Sequence, residues 1–144
     1  MTTTVSPAPQ APALTGVRRG ADVAFGYLAG LFSAAVLAQV FLAGVGAFGS
    51  VGGGGPGFDP HEMLGNVLGV FAVVLLVVSL VSRVSWRQWA GALVLAVLTE
   101  VAQHGLASAG HNSAWVGGIH AFDGMLILLL SLWLAIASLR RNRA

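Results

Sequence analysis

The stretch FDPHEMLGNVLG at positions 58–69 sets Asp59, His61 and Glu62 at the head of a long apolar run, with Gly65 and Gly69 following. Four- and eight-residue steps on a helix keep His61, Gly65 and Gly69 on one face. Two readings are open for such a stripe. The glycines can let a neighbouring helix pack closely, or they can clear room for a flat cofactor whose iron the imidazole binds. Asp59 reads as an N-cap, Pro60 as the first helical residue and Glu62 as a capping-box partner. Starting a helix accounts for those three residues and leaves His61 unexplained.

A second His-x-x-x-Gly stands at His120 and Gly124, where HAFDG (120–124) matches HEMLG (61–65). The preceding apolar segments align without a gap, GLFSAAVLAQVFLAG (30–44) over GALVLAVLTEVAQHG (91–105), and this alignment sets Gln39 over Glu100. The chain therefore reads as two copies of a two-span hairpin related by an axis along the membrane normal. In a bundle of that symmetry His61 and His120 lie at similar depth and face each other. Symmetric packing alone does not demand a histidine on each helix.

The other polar residues suggest supporting roles. Glu100 falls ~7 Å inside its span at 1.5 Å per residue. A carboxylate there costs several kcal/mol unless it is paired or protonated. Glu100 and Gln39 read either as hydrogen-bonding glue across the axis or as a proton relay beside a cofactor. His104, on the Glu100 face, could bond that residue or bind a metal, and Asp123 could orient His120 through its second ring nitrogen. His111 reads as a solvated loop residue, and Met63, Phe122 and Trp133 as packing or lipid-facing. The four histidines with Asp59, Glu62 and Asp123 could form a zinc or copper site, although no H-x-x-x-H or H-x-H spacing supports one.

The elements that must position these residues follow from composition. Of 144 residues 56% are hydrophobic and 8% charged, with mean hydropathy +0.84, far from a soluble domain's share of about 25% charged. Apolar segments at about 22–48, 60–83, 87–107 and 114–139 each supply the ~20 residues needed to cross a ~30 Å hydrocarbon layer. In lipid such segments must be helical, because the backbone has to satisfy its own hydrogen bonds. The predicted fold is an all-α integral membrane four-helix bundle over 20–141, preceded by a disordered cytoplasmic tail over 1–19 that is rich in Pro, Thr and Ala.

There is no lysine, and Arg18, Arg19, Arg83, Arg87, Arg140, Arg141 and Arg143 all fall on one side of a four-span arrangement. The positive-inside rule then makes both termini cytoplasmic in a multi-pass protein of the cell membrane. The pI of about 10.5 thus reports topology, and nothing supports a nucleic-acid partner. The apolar run after Arg19 exceeds a signal-peptide core of about 7–15 residues, so the first span is expected to be retained. Trp86, Trp89 and Trp115 fit interfacial belts. With no cysteine, disulfides and thiolate metal sites are excluded.

A histidine near the outer end of a span, followed by x-x-x-Gly and repeated two spans later, resembles families of small uncharacterised bacterial four-span membrane proteins. It is also similar to one half of heme A synthase and, more loosely, to four-helix membrane cytochromes of b type. The resemblance covers about residues 20–140. It implies heme b with His61 and His120 as the axial pair, and a propionate as a further partner for His104. Heme A synthase carries two such halves and additional histidines, so its enzymatic activity is not implied here. The expected function is that of a b-type cytochrome-like electron-transfer protein. Its expected partners are the bilayer and a quinol or a redox protein, with a homo-oligomer as a further option. The alternative is a cofactor-free accessory or assembly subunit and, third, a metal-handling or transport protein.

Overall fold

The structure, a computed structural model, describes residues 16–52, 57–82 and 84–142. Four helices run through them: α1 (Gly16–Gly52), α2 (Asp59–Ser82), α3 (Trp86–Gly110) and α4 (Ala114–Arg141). All four are long and apolar enough to cross a membrane. The predicted tail overlaps α1, because Gly16–Arg19 are already helical. The last proline before this helix is Pro12, so no ring interrupts the backbone hydrogen bonds of its first turn. Residues 1–15, Arg83 and Arg143, which the sequence reading places in the tail and at the basic face, lie outside the described residues.

Each helix buries one seam with alternating steps of three and four residues. The seams run through Asp22, Phe25, Ala29, Phe32 and Val36 on α1, and through Leu68, Ala72, Leu75, Ser79 and Ser82 on α2. On α3 they are Gln88, Ala92, Leu95 and Thr99, and on α4 Ile127, Ser131, Leu134 and Ser138. This is a coiled-coil-like period. The seams mix large apolar side chains with Ala and Ser, which is how membrane helices approach closely where lipid removes the hydrophobic drive to associate. Ser33 Oγ lies 2.8 Å from Ser131 Oγ, which donates to the Leu128 carbonyl. Phe32 meets Phe71 edge to face at 5.5 Å. The outer faces carry Val, Leu and Phe side chains such as Leu37, Phe41, Val70, Val77 and Leu129, as a lipid-facing surface requires.

Around the bundle, α1 packs on α2 and α4, and α3 packs on the same two helices from the other side. Among the described residues the backbones of α2 and α4 do not meet, nor do those of α1 and α3. The two helices that carry the His-x-x-x-Gly motifs are therefore diagonal partners. The antiparallel run sets Arg18, Arg19, Arg87, Arg140 and Arg141 at one end and all four histidines at the other.

Helix starts differ from the expected pattern in one place and add one in another. The Glu62 amide donates to the Phe58 carbonyl at 2.9 Å, so Phe58, not Asp59, is the N-cap of α2 and Asp59 becomes its first helical residue. The reciprocal capping box forms instead at Ser85 and Gln88, which start α3. Gly57, with φ of 65°, turns the chain into α2, and the Phe58 ring then lies against Gly46 of α1.

Candidate functional site

His61 sits in the first turn of α2. Its backbone carbonyl accepts from Gln39 Nε2 at 2.7 Å, and its Nδ1 donates to the Gln39 carbonyl at 3.1 Å. Two hydrogen bonds thus tie α1 to the histidine, and the Nδ1–H form leaves Nε2 with a free lone pair. On the opposite side the His120 carbonyl accepts from Gln103 Nε2 at 3.0 Å. The imidazoles meet across the bundle axis with ring centroids 6.2 Å apart and planes at 74°.

The repeat is therefore visible in the structure, but its register on the first and third helices is not the one read from the sequence. Gln39 is matched by Gln103, not by Glu100: each glutamine donates to a histidine carbonyl across its own hairpin. Each also lies over the motif glycine, since a methyl group on Gly65 would stand 3.1 Å from Gln39 Nε2 and one on Gly124 3.7 Å from Gln103 Nε2. The chemistry decides the pairing, because an amide can donate to a carbonyl and a carboxylate cannot. A π-helical turn at Leu98–Ala102, closed by the Gln103 amide bonding the Leu98 carbonyl, shifts the face that α3 presents.

Glu100 consequently does not meet Gln39. Its carboxyl group lies on α2 over Gly69, where an added methyl would come 2.9 Å from the carboxyl carbon. Gly69 is thus spoken for by a side chain and gives no clearance to a ligand. Asp123 is buried and accepts from Gln103 Nε2 at 3.0 Å, so it does not orient His120, whose Nδ1 is buried without a hydrogen-bond partner. His104 contacts the Glu100 backbone carbonyl through Nδ1 at 3.0 Å and Asn66 Oδ1 through Nε2 at 3.2 Å. His111 ends α3, exposed, with Nδ1 on the Ala107 carbonyl at 3.0 Å. Met63, Phe122 and Trp133 are exposed on the outer face, as expected, and Trp133 also covers Gly91.

Between the helices at this end lies a cavity of about 370 Å³. Phe32, Val36, Leu68 and Ile127 line its apolar floor, and His61, Gln103, His104 and His120 belong to its polar upper part. Among the described residues no three His, Asp or Glu side chains gather to hold a metal ion.

The sequence reading passed over a second polar cluster, at the arginine-bearing end. Asp22 of α1 is buried in a two-point ion pair with Arg141 of α4. Arg141 also donates to Gln88 Oε1 at 2.6 Å, and Ser138 Oγ donates to the Asp22 carbonyl at 3.1 Å. The available signal was that Asp22 is the one carboxylate on the arginine side of the chain.

Four lipid-facing helices around a serine-lined seam, with a cavity under a pair of histidines, define a small multi-pass membrane protein. The chain belongs to a family of unknown function, DUF6220, which matches residues 39–110. That stretch runs from Gln39 through His61, Glu100, Gln103 and His104 to the end of α3. No curated protein and no solved structure matches the chain.

Proposed function

We propose that the protein is a b-type cytochrome-like membrane protein in which His61 and His120 hold one heme b iron for electron transfer. One relationship carries it: the 6.2 Å spacing of the two rings across the bundle. With metal–nitrogen bonds of about 2 Å, two imidazoles on opposite sides of one ion have ring centroids about 6 Å apart. The donor set fits as well. A bare zinc or copper ion needs three or four protein ligands, whereas a porphyrin supplies four nitrogens and asks the protein for two. Heme bound there supplies one-electron chemistry.

The chain's own residues have definite tasks in this reading. Gln39 accepts the Nδ1 proton of His61 on its carbonyl and so fixes the tautomer that leaves Nε2 for the iron. His120 brings a buried nitrogen with no other partner. Gly65 and Gly124 let Gln39 and Gln103 lie against the turn after each ligand, and Phe32, Val36, Leu68 and Ile127 keep water from the floor. The cavity lies at the small end of the ~300–1,000 Å³ usual for ligand sites. By the positive-inside rule the arginine-bearing end faces the cytoplasm of a cell membrane, and a quinol or a redox protein exchanges electrons at the other end. The likeness to one half of heme A synthase belongs to this reading.

The test is colour. Purified in detergent from heme-supplied cells, the protein should show a Soret band that shifts on reduction. His61→Ala and His120→Ala should each abolish it, while Asp59→Asn should keep it. A colourless wild type overturns the proposal. It would favour the second reading, a cofactor-free accessory subunit, in which the backbone bonds made by Gln39 and Gln103 serve only to join the hairpins.

A further inference from the structure

The seam between α2 and the last third of α3 is unlike the other seams. As far as the π-helical turn, α3 packs on α2; beyond it, Gln103–Gly110 packs on α4 and leaves α2. The gap is lined by polar side chains in a line. Glu100, His104, Ser108 and His111 recur at steps of four, four and three, which places them on one face of α3. Opposite them stand Gly69, Asn66 and Glu62 of α2. All but Glu100 and Gly69 line the cavity, and His104, Ser108, His111, Asn66 and Glu62 are exposed.

At the inner end of this line lies Glu100, ~15 Å along the helix from Gly110 at 1.5 Å per residue. It is half-buried, and among the described residues it forms no ion pair. The described arginines are all at the far end of the bundle. An ionisable side chain within a membrane helix and without an ion-pair partner is a functional candidate. His104, one turn nearer the rim than Glu100, has Nδ1 3.0 Å from the Glu100 backbone carbonyl and Nε2 3.2 Å from Asn66 Oδ1. An imidazole has the chemistry to take a proton on one nitrogen and release one from the other.

We propose that the α2–α3 seam is a proton path from water at the histidine-bearing end, past His111, Ser108 and His104, to Glu100 as its proton-binding terminus. A proton entering at the rim protonates the Glu100 carboxylate, and the reverse movement returns it to water. The π-helical turn is the device that opens the path, consistent with the frequent placement of such turns at functional sites. The titratable groups that line the cavity beside this seam are His61 and Glu62 on α2, His104 and His111 on α3, and His120 on α4. Asp123 is held by Gln103. The path does not depend on an iron between His61 and His120.

Infrared difference spectroscopy on the full chain in lipid vesicles tests it through the carboxylic-acid C=O band. The band should shift in D₂O, disappear in Glu100→Gln and move without vanishing in Glu100→Asp. Deuterium exchange into it should slow several-fold in His104→Leu. The same band should persist in the His61→Ala, His120→Ala double variant, which separates this proposal from the heme reading. A band unchanged by Glu100→Gln, or one exchanging equally fast in His104→Leu, overturns the path.

Discussion

The His61 imidazole lies edge-on to that of His120, with 6.2 Å between centroids and 74° between planes, although their helices occupy opposite corners of the bundle. Two side chains reach across the axis because the helices between them, α1 and α3, present glutamines that grip the two histidine backbones from the flank. The diagonal gap thus remains for the rings and the cavity beneath them. Four sets of substitutions test this arrangement and the packing that holds it.

Gln39 and Gln103 are equivalent by position but not by consequence. Gln103→Leu strands the buried Asp123 carboxylate and removes a second bond to the His120 carbonyl, whereas Gln39→Leu removes only a second bond to the His61 carbonyl, since both carbonyls keep their helical bonds. Leaving a buried group unmet costs about 1–3 kcal/mol, more for a charged one. Thermal unfolding in detergent should show the larger loss for Gln103→Leu, and equal losses would contradict the network.

Gly69→Ala should destabilise the protein by about 1–3 kcal/mol through overpacking, because the new methyl meets the Glu100 carboxyl group. Combining it with Glu100→Ala should recover most of that loss. A double variant that simply adds the two penalties would show that the groups do not touch.

Asp22→Ala removes one partner of the ion pair that joins α1 to α4. Breaking a fully buried pair costs about 3–5 kcal/mol. The Arg141 side chain is 35% exposed, so solvent screens it, and the expected loss is about 2 kcal/mol. Arg141→Lys should not restore stability, since an ammonium cannot reproduce a two-point contact and also reach Gln88. Full stability in Arg141→Lys would reduce the clasp to a simple charge attraction.

Ser33→Ala and Ser131→Ala should each cost only about 0.6 kcal/mol, the usual scale of hydrogen bonds between membrane helices. The double variant should cost little more than either single one, because both remove the same 2.8 Å contact. Strict additivity in a double-mutant cycle would refute the pairing.

Much of this protein is determined by its sequence alone. Segments of about twenty apolar residues must be helices in lipid, and arginines confined to alternate connections fix which helix ends lie together. His61 with Gly65, echoed by His120 with Gly124, was legible because polar residues are so few that a repeated one stands out. Tertiary structure decided the partners. Aligned letters set Gln39 over Glu100, but hydrogen-bond chemistry and a π-helical turn, which no local pattern announces, set Gln39 against Gln103 and sent Glu100 to Gly69. Nothing in the residues around Asp22 names Arg141 as its partner; the packing of α1 on α4 supplies it. Spacing along one helix fixes which side chains share a face. Which atom on another helix each one reaches depends on rotation and offset between helices, and those are set only when all four seams pack at once.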